Sequence, residues 1–242
     1  MDVAYKRIVL KLSGEALNKE KTLGVSPEII SSISQSIKEA ADHGTQIAVV
    51  IGGGNFIRGG QIKLGGVIDR ATADHMGMLA TMINALALRD GLQSQGQKAI
   101  VLSARSVDGV LETANAHEAR RLLNEGYVVI FAGGTGNPFV TTDSAASLRA
   151  IEINANALLK ATTVDGVYDK DPNKFTDAKR FDCISFKEVL KNEFAVMDLG
   201  AFTQCRDFNI PICVFNLYKP SGLKRVLQGE NEGTWVVREK KI

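Results

Sequence analysis

The stretch YVVIFAGGTGNPFVTTDSAASLRAIEINA, residues 127–155, contains one complete folding unit. Residues 127–132 are a short, nearly continuous apolar run, the pattern of a strand buried on both faces. Gly133, Gly134 and Gly136, with the pair Asn137-Pro138, make a turn. A helix follows over 143–155, capped by Thr141, Thr142 or Asp143. Strand, glycine loop and helix in this order form the repeating unit of a parallel sheet covered by helices. The loop itself has two readings. It is a plain strand-to-helix turn, or it is a seat for an anion. Glycines let backbone N–H groups approach a ligand closely, and a helix start adds its own free N–H groups.

The same unit recurs outward from this stretch. Strands are expected at 6–12, 46–51, 98–103, 157–161 and 212–216. Helices are expected at 27–42, 71–94, 116–125, 186–192 and 199–208. Ser26 and Pro27 open the first of these and Gly44 follows it. Ser185 and Glu188 make a capping-box pattern. The chain shows neither a low-complexity linker nor an internal repeat. It reads as one α/β domain over 1–242, with a mostly parallel sheet between helices. The charged stretch 169–180 is the one soft boundary.

Composition narrows the function. The 29 basic and 27 acidic side chains leave a formal +2 among 242 residues, so an anion site has to be local and nucleic-acid binding has no global electrostatic case. The apolar runs fall short of the ~18 residues that a membrane span needs, and MDVAYKRIVLKL does not read as a signal peptide. Cys183, Cys205 and Cys213 lack a C-x-x-C spacing and read as core thiols in a reducing cytoplasm. His43, His75 and His117 lie far apart, with no zinc pattern, and no metal ligands are expected.

Parallel sheets bind ligands beyond the carboxyl ends of their strands. Four loops there carry glycines or hydroxyls: Lys11-Leu12-Ser13-Gly14; Gly52-Gly53-Gly54-Asn55 with Arg58; 133–143; and Thr162 to Asp169. Familiar phosphate motifs are missing. Positions 57 and 139, where a dinucleotide fingerprint needs its third glycine, are Ile57 and Phe139, and no Gly-Lys pair exists for a P-loop. Lys11 and Lys160 end otherwise apolar strands, which suits either side chains snorkelling to the sheet edge or a charged site. Asp198 reads as the cap of the 199–208 helix. The segment 75–90 is apolar nearly all round, as in a central or subunit-interface helix.

Together these residues resemble a known family. Lys11-Leu12-Ser13-Gly14-Glu15-Ala16, Gly52-Gly53-Gly54-Asn55 with Arg58-Gly59, Asp74-His75-Met76-Gly77-Met78, Gly134 to Phe139, Thr141-Thr142-Asp143 and Val164 to Tyr168 are similar to the bacterial uridylate kinases of the amino acid kinase superfamily. The similarity runs from about 5 to 237. It implies a three-layer αβα sandwich, with an acceptor half over about 1–156 and an ATP half over about 157–242. It implies transfer of the γ-phosphoryl of ATP to UMP, with Mg²⁺ carried on the ATP phosphates.

The resemblance also implies roles. Lys11, Leu12, Ser13, Gly14, Gly54, Arg58, Thr162, Tyr168 and Asp171 would hold ATP. Gly53, Asp74 and residues Thr135, Gly136, Asn137, Pro138, Phe139, Val140, Thr141 and Thr142 would hold UMP, with Asp74 on the ribose hydroxyls. Lys11, Lys160, Asp143 and Asp198 would be catalytic, with Asp198 orienting both lysines. Relatives of this kind assemble as hexamers, are inhibited by UTP and are often activated by GTP. Gln93 and Ile100 are uncharged where basic residues would meet GTP, which weighs against a GTP response. Two alternatives remain at this point: a superfamily kinase acting on a carboxylate or carbamate, and a nucleotide sensor without turnover. The first should lack the Asp74–Met78 and Thr135–Phe139 segments. The second should have lost Lys11, Lys160 or Asp198.

Overall fold

A computed structural model describes residues 5–18, 24–57, 67–194 and 196–239. Nine strands among them form one sheet. They are β1 (Arg7–Leu12), β2 (Gln46–Ile51), β3 (Ala99–Ser103), β4 (Glu112–Thr113), β5 (Val128–Ala132), β6 (Ala157–Thr162), β7 (Cys183–Ser185), β8 (Ile212–Asn216) and β9 (Thr234–Val237). Their order is β4-β3-β5-β2-β1-β6-β8-β9-β7. Pairing is parallel from β4 to β8; β9 runs antiparallel to β8, and β7 runs parallel to β9.

The helices are α1 (Pro27–Asp42), α2 (Arg70–Ser94), α3 (Ala116–Asn124), α4 (Thr142–Glu152), α5 (Phe186–Asn192), α6 (Leu199–Asp207) and α7 (Gly222–Leu227). Strand alternation sends the two faces of the sheet to different partners. Ile8, Leu10 and Leu12 of β1 pack with α1, α2 and α7, while Val9 joins the cluster built from α3, α4, α5 and α6. The result is three layers, as the sequence implied.

The caps explain the helix starts. Ser26 accepts from the Ile29 N–H at 3.3 Å, with Pro27 at the first helical position. Ser185 and Glu188 form the reciprocal capping box. Thr141 caps α4, accepting from Asp143 and Ser144. This helix begins one residue earlier than expected, and it ends at Glu152 rather than 155 because Asn154 turns left-handed at φ 55°.

The sequence reading omitted β4, β7, β9, α7 and a 3-10 turn at Gly14–Leu17. All are short, and a period needs several residues to show. Two of the three thiols behave as expected of core groups, whereas Cys183, in the short edge strand β7, is only partly buried. Cys205 and Cys213 are fully buried, and burial pushes the Cys205 thiol up to about 12.

Candidate active site

The site begins with strand register. Lys11 of β1 lies directly beside Lys160 of β6 in parallel pairing, so both side chains leave the same face of the sheet. Val9 and Leu158, two residues earlier on each strand, show which face: both pack in the cluster that contains α4. The amino end of α4 sits over the lysines. Thr141 caps it, Thr142 opens it and Asp143 follows in its first turn.

Asp143 is the link. One carboxylate oxygen, Oδ1, lies 2.8 Å from Lys11 Nζ, and Oδ2 lies 2.6 Å from Lys160 Nζ. Lys11 and Asp143 are buried, at 6% and 9% exposure. Burial alone would raise the Asp143 pKa, but the two ammonium groups outweigh it and hold the carboxyl below its usual range. Burial lowers the pKa of Lys160, the charge of Lys11 adds to this, and Asp143 opposes both. Two cations are thus kept side by side in a dry site by one anion.

Asp198 stands one step back. It caps α6 by accepting from the Ala201 N–H at 2.8 Å. It also accepts from Ser144 Oγ at 3.0 Å and from Thr141 Oγ1. The expectation that Asp198 orients the lysines is therefore modified: Asp143 makes the direct contacts, and Asp198 fixes the two hydroxyl residues that flank it. The charge of Asp198 does still act on Lys160 at longer range. The plainer reading of Asp198 as a helix cap holds at the same time.

A cleft of about 210 Å³ opens beside this centre. Gly53, Asp74, Phe139, Val140, Thr141 and Thr142 line it, which gathers six expected acceptor residues from three parts of the chain. Thr135, Gly136, Asn137 and Pro138 belong to the same loop but do not line the cleft. Asp74 accepts from the Phe139 N–H at 2.9 Å. Among the lining residues to which the sequence reading gave no role, two hold the site together. Arg70, one helical turn before Asp74, donates to it at 3.0 Å and stands 5.9 Å from the Phe139 ring centre. Thr81 accepts from the Gly133 N–H at 2.7 Å and so anchors the glycine loop. The i, i+4 spacing of Arg70 and Asp74 was the available signal.

Glycines let the loops close on each other. A Cβ on Gly14 would fall 2.3 Å from the Gly54 N, and one on Gly53 would fall 2.6 Å from the Gly77 O. A side chain at Gly14 would push the two loops apart, and one at Gly53 would push its loop off α2. Ser13 caps the 3-10 turn, accepting from Ala16 N at 3.3 Å. Leu12 is wholly buried in the core, and its carbonyl accepts from the Gly52 N–H at 2.8 Å, so the structure gives it no exposed group for a ligand. Arg58 lies outside the described residues.

A second cleft, about 380 Å³, lies on the other side of the sheet's centre line, past β6. Gly166, Tyr168, Asp171 and Asn173 line it, with Phe194 and Val196 across. Thr162 is not in its wall; its hydroxyl donates to the Val164 carbonyl at 2.6 Å and shapes the loop from within. Among the described residues, no three His, Cys, Asp or Glu side chains gather to hold a metal ion.

A buried lysine pair joined by one carboxylate, with a cleft lined by backbone and hydroxyls next to it, is built to take phosphate oxygens. The model of the amino acid kinase family matches residues 6–216. The chain belongs to that family. It is 60% identical over 231 residues to a uridylate kinase of Francisella tularensis subsp. holarctica, covering 96% of this chain and 93% of the relative. It is 52% identical over 233 residues to a uridylate kinase of Shewanella denitrificans, covering 96% of each. The fold matches the crystal structure of a UMP kinase from Bacillus anthracis at TM-score 0.94 and 37% identity, over 98% of this chain and 97% of that one. A uridylate kinase from Archaeoglobus fulgidus matches at TM-score 0.73 and 28% identity, over 95% and 99%.

Proposed function

We propose that this chain transfers the γ-phosphoryl of ATP to UMP, giving ADP and UDP. The observation that carries the reading is the Lys11–Asp143–Lys160 cluster at the rim of the acceptor cleft. Full-length similarity to uridylate kinases supports the choice of substrate.

The acceptor oxygen belongs to a phosphate whose second pKa is about 6, so it is already ionised near neutral pH. The reaction needs no general base. That oxygen bonds to the γ-phosphorus as the bond from this phosphorus to the β-γ bridging oxygen breaks, and the electron pair leaves with ADP. Catalysis then consists of alignment and neutralisation of charge. Lys11 and Lys160 meet the transferring group, and Asp143 holds them in position until the phosphates arrive. Asp198 steadies Thr141 and Ser144 beside Asp143. Gly53, Asp74 and the loop 135–142 receive UMP. Ser13, Gly14, Gly54, Arg58, Thr162, Tyr168 and Asp171 receive ATP. Mg²⁺ enters as part of the ATP substrate, bound through phosphates and water, which suits a centre whose carboxylate already serves two lysines.

The acceptor half, about 1–156, and the ATP half, about 157–242, meet where β1 pairs with β6. UTP competes by filling the UMP cleft. Gln93 donates to the Ala99 carbonyl at 3.0 Å and Ile100 is uncharged, which weighs against activation by GTP. Leu79 and Ile83 of α2 are about half exposed, at 55% and 51%, an apolar stripe that suits packing between copies in a hexamer. No helix among the described residues is long and apolar enough to cross a membrane, and we place the enzyme in the cytoplasm.

The test is ADP release with ATP and Mg²⁺, offering UMP, CMP, dTMP or no acceptor, with Lys11→Ala as control. Turnover with UMP, lost in the variant, is the expected result. Tight nucleotide binding without turnover on any acceptor would instead make the site a sensor.

A further inference from the structure

The loop after β6 is tied from outside the clefts by a chain of charges that the reaction itself does not use. Tyr168, in the wall of the second cleft, donates its hydroxyl to Asp165 Oδ1. The other oxygen of Asp165 lies 3.1 Å from Lys219 Nζ and 3.8 Å from an Arg180 nitrogen. Lys219 follows β8, and its ammonium also lies 3.2 Å from Glu232 Oε1. Glu232 has a buried side chain and is gripped by Arg225 of α7 at 2.6 Å. Lys219 is thus the joint between a buried, anchored carboxylate and the partly exposed carboxylate that sets the Tyr168 hydroxyl. Asn216, also at the end of β8, donates to the Thr163 carbonyl at 3.1 Å and fixes the loop backbone independently.

We propose that Lys219 is a positioning residue for ATP, acting through Asp165 on Tyr168. The inference rests on the assignment of the second cleft to ATP. Lys219 and Asp165 keep 38% and 30% of their side chains exposed, so their pairing adds little to global stability. Its effect is local: it selects one orientation of a phenol in a binding wall. With Asn216 still holding the loop backbone and Arg180 left as the longer, 3.8 Å partner of Asp165, loss of Lys219 loosens the Asp165 carboxylate and the Tyr168 ring without unfolding the loop.

The experiment uses the full chain, with ATP and UMP binding measured separately by calorimetry and turnover measured alongside. Lys219→Met should raise the ATP Kd and KM about fivefold, the upper range for a partly exposed pair. UMP binding, kcat and Tm should stay near wild type, and Lys219→Arg should restore ATP binding. In a Tyr168→Phe background, Lys219→Met should have almost no further effect on ATP. Three results would overturn the proposal: unchanged ATP affinity, equal losses for ATP and UMP with a lowered Tm, or an undiminished Lys219→Met effect in the Tyr168→Phe background. The calorimetry needs no turnover. A chain that binds ATP but fails to phosphorylate UMP would count against the proposed reaction and leave the Lys219 inference to its own data.

Discussion

The lysine centre and the mouth of the acceptor cleft are built by different means. Lys11 and Lys160 stand on adjacent central strands, and register alone places them side by side. Asp143 meets them from the first turn of a helix packed on the same face. At the mouth, Asp74, Arg70 and Phe139 come from a helix and a loop, and only side-chain contacts and one N–H join them. The centre is dry and rigid. The mouth is open: Phe139 is 70% exposed. Groups that must meet developing charge gain most from being fixed before substrate arrives. Groups that recognise an entering ligand have to exchange partners. Asp74 now holds Arg70 and the Phe139 N–H, and in the proposed function it would release part of this to receive ribose hydroxyls.

The largest effect should come from the centre. Lys11→Ala removes a charge used most in the transition state, and kcat should fall about 10²- to 10³-fold. UMP binding measured by calorimetry should change little, and Tm should confirm that the chain is folded. Near-normal turnover would remove Lys11 from the reaction and erase the contrast between the two regions.

Asp143→Asn should cost about 3 kcal/mol of stability near neutral pH, because it leaves two buried ammonium groups facing each other. The pH dependence has a definite sign. The folded pKa of Asp143 is lowered, so its contribution is complete above its unfolded value, about 3.9, and is lost as pH falls through the folded value. The folded pKa of Lys160 is lowered too, so its charged form opposes folding, and that penalty fades as pH rises. The gap between wild type and Asp143→Asn in urea unfolding should therefore be widest near neutrality. It should narrow toward strong acid and toward alkaline pH. A constant gap would mean that Asp143 acts by shape rather than charge.

Much of the centre was legible because it follows from periodicity. Apolar runs gave β1, β2, β5 and β6 and set Lys11 and Lys160 at the ends of two of them; that the two share a face is shown by the register of β1 and β6. The helix start after 141 located Asp143. What sequence could not supply was which carboxylate meets the lysines. Asp143 and Asp198 each begin a helix packed on that face, and only the spatial fit of α4 over β1 and β6 separates them. Family resemblance named both as catalytic and gave Asp198 the orienting role; the direct contacts to the lysines are made by Asp143. The mouth was less legible. The spacing of Arg70 on α2 pairs it with Asp74, but nothing in it reveals that Arg70 also reaches Phe139. The sheet's far edge, β9 and β7, was invisible because three or four residues are too few to display a period.

At the mouth, Asp74→Ala should raise the UMP KM about tenfold, the size of one lost charge-assisted contact. The ATP KM should stay as in the wild type. Equal changes for both substrates would refute the ribose assignment and imply that the mouth is as tightly coupled to the lysine pair as the centre is to itself.

The smallest effect tests the openness of the mouth directly. Phe139 adopts φ 67°, a left-handed conformation that costs a bulky residue roughly 1–2 kcal/mol. Phe139→Gly relieves this strain but frees the unfolded chain by about 0.5–1 kcal/mol, and it removes a weak contact with the Arg70 guanidinium worth about 0.5 kcal/mol. These terms nearly cancel, so stability should change by less than about 1 kcal/mol. The same balance applied to Asp143 would not cancel, since its carboxylate is the ion-pair partner of two lysine ammonium groups and no relieved strain offsets its loss. If Phe139→Gly unfolds in urea as the wild type does, the ring stands at the cleft for a ligand rather than for the fold. A loss as large as that for Asp143→Asn would show that the mouth is packed as firmly as the centre, and that UMP enters a preformed site.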